Sequence, residues 1–466
     1  MIIRLLFSTA ALALAPSIFC QEPPTLTEQY RATATKLIDA ALIDHGGIDK
    51  LSYLCDRIGN RLSGSPGLEK AIVWAAAQMK TDGLVNIVTP RVKVTHWVRG
   101  NESASITDPI NRPKNILGLG GSVATPKKGI TAEVVPVSSF DELEKKGRAA
   151  VEGKIVLFNV PYEGYGRTVT YRHTGAVRAA HLGAVAALVR SITPVSLQSP
   201  HTGALEYTAT DPKIPAAAVT IEDATLIQRL TDGGNVVSVH LEMEARTLPD
   251  ADSANVIGEI PGREKPEEIV VIGGHIDSWD VGAGAQDDGS GIITALEAVH
   301  LIHKLGLQPR RTLRVVFWTN EENGGAGGLA YREWVGDQVR NHVAAIEMDG
   351  GAEKPTGFGI SGGRGDSQAI LSKMREVGKL LERIDAGSIQ SGGGGSDIAP
   401  LMRDGVPGLA VRTVGTHYFD WHHSRADTAD KVKPEDLRAN IAAMAVMAYI
   451  LADMPDNLQH VPPATK

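Results

Sequence analysis

Three apolar runs in the second half of the chain each lead directly into acidic or histidine residues. The runs at residues 269–273, 313–318 and 343–346 are short and rich in β-branched or aromatic side chains. This pattern is typical of buried strands. Open α/β sheets build their ligand sites at the carboxyl ends of their parallel strands. The sequence therefore predicts a largely parallel sheet with polar residues gathered at one edge.

Length and composition restrict the class of protein. A chain of 466 residues is long enough for two or three domains with full cores. With 42% hydrophobic and 22% charged residues, the composition indicates a folded globular protein. A net charge of -7 without a long basic run argues against nucleic acid as a partner.

The N-terminus has the features of a targeting segment. Arg4 precedes an apolar stretch at residues 5–15, and Pro16 ends it. This arrangement predicts a secretory signal peptide over residues 1–20, because the stretch is short for a membrane span. Lipid attachment at Cys20 stays open as an alternative. If Cys20 is removed with the signal, only Cys55 remains and no internal disulfide can form. We therefore expect an exported protein, periplasmic or extracellular, without a membrane span.

A histidine and two aspartates follow the first apolar run. His275 and Asp277 stand two residues apart at a strand end, so their side chains point to the same side. His275 is a candidate metal ligand, and Asp277 is the expected acceptor for its other ring N–H. Asp287, in a glycine-rich loop, is placed to bridge two divalent ions. The alternatives are a surface pair for His275 and Asp277 and an ordinary turn or helix cap for Asp288.

Two adjacent glutamates follow the second apolar run. Neighbouring side chains that leave a strand point in opposite directions. We therefore assign Glu322 to the metal and Glu321 to proton transfer as the general base. The alternative is a helix N-terminus, which favours acids. That alternative accounts for one glutamate but not for its pairing with the other clusters.

The third run and the C-terminal part supply the remaining candidates. Asp349 is a candidate terminal ligand, and Glu347, two residues earlier on the same face, is its rival. One of the histidines in a crowded C-terminal loop is expected to complete the site. That loop contains His417, Asp420, His422, His423 and Asp427.

These residues, in this order, resemble the co-catalytic zinc aminopeptidase and glutamate carboxypeptidase family. The similarity is dense at residues 60–67 (Asn-Arg-Leu-Ser-Gly-Ser-Pro-Gly), 274–282 and 422–428, and it extends over nearly the whole mature chain. The resemblance implies a three-layer αβα sandwich with a mixed, largely parallel sheet and an inserted protease-associated domain. The peptidase domain would comprise residues 21–116 and 248–466, with the metal site in the second segment, and the insertion would comprise residues 117–247.

The resemblance also implies roles for individual residues. One of two zinc ions would be bound by His275 and Asp349, the other by Glu322 and His423, with Asp287 bridging both and Glu321 as the base. A cis peptide is implied between Asp287 and Asp288. Many relatives carry a tyrosine before the final histidine ligand, and this chain has His422 there. His422 is therefore the candidate oxyanion stabiliser.

The function implied by the resemblance is that of a secreted di-zinc exopeptidase. A hydroxide that bridges the metals would attack the peptide carbonyl, with Glu321 as general base, in short peptides and above all in dipeptides with free termini. The family also suggests a homodimer. The alternatives are a glutaminyl cyclase-like acyltransferase with a single zinc and a non-catalytic, receptor-like relative. The receptor-like alternative predicts lost ligands, and none is missing from the sequence.

Overall fold

The computed structural model describes residues 24–362 and 367–458. The expected signal peptide at residues 1–20, with Cys20, lies outside the described residues. Within the described part of the chain, no helix combines the length and the apolar character that a bilayer crossing requires.

The described residues form an alternation of helices and strands. The strands are β1 Val85–Val88, β2 Arg91–Val98, β3 Glu102–Asp108, β4 Arg112–Lys114, β5 Ile116–Gly118, β6 Ile130–Val137, β7 Ile155–Phe158, β8 Ala186–Arg190, β9 Ala216–Val219, β10 Ser238–Met243, β11 Arg246–Ala254, β12 Val256–Ile260, β13 Lys265–His275, β14 Arg311–Trp318, β15 His342–Glu347, β16 Pro355–Ser361, β17 Ser388–Ser391 and β18 Gly408–Thr413. The helices are α1 Leu26–Leu42, α2 Gly46–Tyr53, α3 Pro66–Thr81, α4 Phe140–Val151, α5 Tyr165–Thr168, α6 Thr170–His181, α7 Ile221–Asp232, α8 Ser290–Lys304, α9 Ala326–Val335, α10 Ser367–Leu381, α11 Ala399–Arg403, α12 Tyr418–Trp421 and α13 Pro434–Asp453.

The first sheet has eight strands in the order β1-β12-β14-β13-β15-β18-β16-β17. Its centre is parallel, since β13 pairs in parallel with both β14 and β15, and β15 pairs in parallel with β18. The strands β12 and β16 pair antiparallel with β14 and β18, which makes the sheet mixed. The carboxyl ends of β13, β14 and β15 therefore meet at one edge.

Both faces of this sheet are covered. Val270 and Ile272 of β13 belong to the core that includes α1, α8 and α13, whereas Ile269 and Val271 belong to a second core that includes Tyr331 of α9. Alternate residues of a strand face opposite sides. Burial on both faces accounts for the continuous apolar runs that the sequence shows at these strands.

A second eight-stranded sheet has the order β4-β3-β10-β6-β7-β8-β9-β5. Its strands β6, β7, β8 and β9 are parallel neighbours. The sheet includes β3 and β4, which precede residue 117. The chain reaches β3 directly after β2 and leaves β10 into β11, and β2 and β11 pair with each other as an antiparallel ribbon.

Helix α3 begins inside the glycine-containing segment at residues 59–67. Helix α3 begins at Pro66. The Ser65 hydroxyl accepts a hydrogen bond from the Leu68 N–H, and proline is well suited to the first helical position. The helix therefore starts within the Ser-Pro-Gly segment.

Candidate metal centre

The predicted polar residues converge at the carboxyl edge of the first sheet. His275 is the last residue of β13, Glu321 and Glu322 lie in the turn after β14, and Asp349 follows β15. Because these three strands are parallel neighbours, the residues after them share one end of the sheet.

Asp287 lies between two histidines. Its Oδ1 is 3.2 Å from Nε2 of His275, and its Oδ2 is 3.2 Å from Nε2 of His423. Nε2 of His275 is also 3.5 Å from Oδ1 of Asp349, and Nε2 of His423 is 3.0 Å from Oε2 of Glu322. The five side chains thus form two donor sets, each with one imidazole and one further carboxylate, and Asp287 belongs to both.

The loop that presents Asp287 is held by a second aspartate. The Asp427 carboxylate accepts hydrogen bonds from the backbone N–H groups of Ala285 (3.1 Å), Gln286 (2.8 Å) and Asp287 (3.2 Å). The peptide between Asp287 and Asp288 is cis, as the family resemblance implied. The sequence had placed Asp427 only among the crowded C-terminal residues. A buried acid four residues after a candidate ligand pair gives no local signal for this role.

Asp288 has the structural role that the sequence left open for it. Its Oδ1 accepts a hydrogen bond from the Gly291 N–H (3.1 Å), as in a helix cap, and its Oδ2 accepts one from the His275 N–H (3.1 Å). Asp288 is fully buried. It therefore links the start of α8 to the end of β13.

Asp277 lies next to His275, but its contacts differ in part from the expectation. Nδ1 of His275 is 3.0 Å from the main-chain carbonyl oxygen of Asp277, whereas the nearer carboxylate oxygen is 3.8 Å away. The carboxylate instead accepts the backbone N–H groups of Glu321 (3.0 Å) and Glu322 (3.3 Å). Asp277 is thus the neighbour of the His275 ring N–H, as expected, but through its main-chain carbonyl, while its carboxylate holds the glutamate turn.

The candidate ligands concentrate negative charge in a buried place. Burial and the charge of Asp287 raise the pKa of Glu322 to about 8, and burial raises the pKa of Asp349 to about 6. Asp287 Oδ2 and Glu322 Oε1 are buried and accept no hydrogen bond of good geometry. Buried carboxylates without compensating partners are costly. The arrangement is one that bound cations would stabilise.

Of the other candidate residues, His422 contacts this cluster, whereas His417 and Glu347 make their contacts elsewhere. Nε2 of His422 is 3.5 Å from Asp287 Oδ2, and the His422 ring stacks on the His423 ring with 3.5 Å between centroids. His417 lies outside the cluster, where its Nδ1 is 2.8 Å from an oxygen of Asp420. Glu347, the rival of Asp349, accepts the backbone N–H groups at positions 397 and 398 through Oε2. The side chain at position 349 is therefore the one that faces His275.

A cleft of about 450 Å³ opens beside these residues, between the two sheets. Glu321 lines it together with four of the five candidate ligands, all except His275. The full lining consists of Tyr165, Arg172, His173, Ala204, Glu206, Asp287, Glu321, Glu322, Asp349, Ser396, Tyr418, Phe419, His422 and His423. One wall is thus formed by residues 165–206, which belong to the second sheet and its helices.

Comparison with known proteins identifies relatives over nearly the whole chain. Residues 255–448 match the profile of peptidase family M28. The chain is 43% identical to carboxypeptidase Q of Mus musculus over 432 residues, which cover 92% of this chain and 91% of the mouse protein. It is 44% identical to carboxypeptidase Q of Homo sapiens over 410 residues, which cover 88% of this chain and 86% of the human protein.

Solved structures share the same architecture. The peptidase M28 precursor of Shewanella amazonensis SB2B superposes with a TM-score of 0.89 at 34% identity, covering 94% of this chain and 100% of that one. A zinc aminopeptidase from Bacillus subtilis superposes with a TM-score of 0.66 at 19% identity, covering 90% of this chain and 98% of that one. At that identity the second likeness shows a common fold.

Proposed function

Because this chain belongs to peptidase family M28 and is a metallo-exopeptidase, we propose that it is a two-zinc enzyme that hydrolyses short peptides with free termini. The observation that supports two metals is the position of Asp287. Its two carboxylate oxygens face two different imidazoles at 3.2 Å each. A carboxylate shared in this way suits a pair of ions held close together.

The residues present fit zinc. His275 and Asp349 would hold one ion, Glu322 and His423 would hold the other, and Asp287 would contact both. Imidazole nitrogen and carboxylate oxygen are the donors that catalytic zinc sites use. The buried oxygens without hydrogen bonds, Asp287 Oδ2 and Glu322 Oε1, lie within these sets. Zinc would supply a lowered pKa for a bound water and polarisation of the peptide carbonyl.

Glu321 is the residue that we assign to proton transfer. Its side chain lines the cleft, and its backbone N–H is fixed on the Asp277 carboxylate. Glu322, its neighbour, is turned towards His423 instead. Glu321 would accept a proton from the attacking water and return it to the amine that leaves when the peptide bond breaks.

His422 is suited to stabilise the oxyanion. Burial and the neighbouring His423 hold the pKa of His422 well below its ordinary value, so the ring is neutral. A neutral imidazole has one N–H donor. Because His422 lines the cleft beside Asp287, that donor can serve a developing negative charge on the carbonyl oxygen.

The cleft favours small substrates that carry both charged termini. Its volume of about 450 Å³ is closed on one side by the second sheet. Glu206, Glu321 and Asp349 offer negative charge to an α-ammonium group, and Arg172 is the one Arg or Lys among the described residues that line the cleft. Dipeptides with free ends match these charges.

We also propose that the second sheet is the protease-associated insertion. The family resemblance implied residues 117–247 for it, and a unit that contains the whole sheet would begin earlier, at β3, because β3 and β4 belong to the same sheet. We further propose that residues 1–20 are removed on export, which would place the enzyme in the periplasm or outside the cell. A homodimer stays a prediction of the family resemblance.

The decisive experiment is the Glu321→Gln variant. We expect two zinc ions per chain to remain bound while kcat for dipeptides falls by about 10²- to 10⁴-fold, as for loss of a general base. Glu267→Gln, at an exposed position, is the matched control and should retain full activity. Unchanged turnover in Glu321→Gln would remove the base assignment, and one zinc per chain in the wild type would favour the glutaminyl cyclase alternative.

Substrate class is tested separately with dipeptides that are free, N-acetylated or C-amidated. We expect the free dipeptides to be cleaved fastest, because both termini contribute charge to the cleft. Equal rates for blocked and free dipeptides would contradict this specificity. Preference for one blocked form would show which terminus the enzyme reads.

A further inference from the structure

The loop that carries His422 and His423 is bound by a loop of the second sheet. The Thr202 N–H donates to the main-chain oxygen of His423 (2.9 Å), and Nδ1 of His201 is 2.6 Å from the main-chain oxygen of His422. His201 is 3% exposed and Thr202 is fully buried. The contact is therefore a dry, specific one between two distant parts of the chain.

The same loop also contacts the ring of His423. Nδ1 of that ring is 3.3 Å from the carbonyl oxygen of Thr202, while Nε2 faces Glu322 and Asp287. A neutral imidazole that donates from Nδ1 has its free lone pair on Nε2. The Thr202 carbonyl can only accept, so it favours the tautomer that binds a metal through Nε2, which is the usual role of such an outer partner. Nη1 of Arg172 lies 3.4 Å from the same Nδ1 and also donates to the Thr202 carbonyl.

The backbone of His423 needs support of this kind. Its φ is +59°, in the left-handed region that residues other than glycine seldom occupy. Such a conformation persists only where surrounding contacts enforce it. For His423 the contact that fixes the main-chain oxygen comes from Thr202.

Thr202 is itself held firmly. Its hydroxyl donates to the Gly118 carbonyl (2.7 Å), and its carbonyl accepts Nη1 of Arg172 (3.1 Å). The Arg172 guanidinium packs against Gly203, where an added Cβ would lie 2.2 Å from Cζ and where φ is +136°. The loop is consequently fixed from within the second sheet.

The two halves of the candidate metal centre differ in this respect. The ring of His275 is oriented by Asp277, two residues away in the same strand end. The ring of His423 is oriented by the second sheet. We propose that the segment from His201 to Gly203 positions His423. The second sheet would then contribute to zinc binding at the Glu322–His423 side, in addition to forming one wall of the cleft. This inference rests on the proposed function, because it presupposes zinc at that side.

The test compares His201→Leu with His201→Asn in the full, zinc-loaded chain. Leucine removes the donor to the His422 carbonyl, whereas the asparagine side-chain N–H can replace it. Zinc affinity is measured for each of the two equivalents by competition with a chelator, and cobalt(II) absorption reports the ligand field. For His201→Leu we expect one equivalent to bind about 10-fold more weakly, the lower end of the range for loss of an outer partner, because the Thr202 carbonyl is displaced from the His423 ring and not removed. The other equivalent should be unchanged. His201→Asn should bind both equivalents with affinities close to those of the wild type.

His240→Leu is the matched control, because His240 lies on β10 of the same sheet and its ring contacts Thr131 instead. It should leave both affinities unchanged. If His201→Leu does not fold, Gly203→Ala takes its place, since it displaces Arg172 and the same loop. Wild-type affinity for both equivalents in the folded variant would overturn the inference. Fewer than two zinc equivalents in the wild type would instead refute the proposed function, so the two failures are distinguishable.

Discussion

Asp277→Asn is the substitution that most directly tests how the glutamate pair is positioned. Asp277 is fully buried, and its two oxygens accept the backbone N–H groups of Glu321 and Glu322 at 3.0 and 3.3 Å. Asparagine has almost the same shape but replaces one acceptor oxygen with an NH₂ group. That group would point its hydrogens at a backbone N–H, so at least one of the two glutamate contacts must be lost.

The expected effect of Asp277→Asn on the free energy of unfolding is small, because two contributions oppose each other. Losing a hydrogen bond to a charged acceptor costs about 1.5–3 kcal/mol. Burial raises the pKa of Asp277 to about 6, so the ionised form is disfavoured by roughly 3 kcal/mol relative to an exposed aspartate. The neutral amide avoids that cost. The two effects nearly offset each other, and we expect the free energy of unfolding to change by less than about 2 kcal/mol.

Activity should respond much more strongly. A displacement of Glu321 by about 1 Å is sufficient to reduce turnover by roughly 10²-fold. The assay is kcat/KM for a free dipeptide, with zinc content and urea unfolding measured on the same sample. Glu267→Gln, at an exposed position, is the control and should retain near-normal activity. Wild-type kcat/KM in Asp277→Asn would refute the positioning role.

Three other predictions concern groups that are not themselves candidate ligands. Burial raises the pKa of the Cys55 thiol to about 12, so a thiol reagent at pH 8 should label the native protein far more slowly than the urea-unfolded chain; rapid native labelling would contradict this. Burial lowers the pKa of His201 to about 4. Between pH 6.5 and pH 4 the unfolded chain therefore binds more protons than the native state. The free energy of unfolding should fall by roughly 3 kcal/mol as the pH falls through this range. Urea unfolding of the metal-free protein should show that the free energy of unfolding falls less with pH in His201→Asn than in the wild type. Equal decreases in the two proteins would refute the assignment of this pH dependence to His201. Lys50→Met leaves the carboxylates of Glu297 and Asp82, 0% and 5% exposed, without their cation. It should reduce the free energy of unfolding by about 3–5 kcal/mol without changing KM, and an unchanged unfolding midpoint would exclude a stabilising role for the pair.

The central strands, and the candidate ligands that follow them, have local sequence signals. Strands β13, β14 and β15 are buried on both faces over most of their length, so each contains an apolar run. The polar residues directly after them then stand out. The family resemblance that these motifs carry is confirmed by the match to peptidase family M28.

The second sheet was harder to delimit because its outer strands have weak local signals. In β3 only Ala104 and Ile106 are buried, and the strand reads as a mostly polar segment. Its place is decided by pairing with β10, more than a hundred residues later. The strand β11 is likewise largely exposed and is fixed by its pairing with β2. When a strand is fixed by pairing with a distant segment, the sequence of either segment alone gives little indication of the pairing.

The same reasoning explains why the residues alone left the last ligand open among several histidines. His275 ends its strand, so the strand direction fixes where its side chain can go. Strand β18 ends at Thr413, and the segment from there to His423 is a turn and the short helix α12. No periodicity extends over such a segment, so its spacing cannot show which histidine turns inwards. The choice is made by contacts with Thr202 and Glu322, which lie far away in the sequence. A candidate ligand so distant from a strand end needs a second structural unit to hold it, and in this chain we propose that this unit is the second sheet.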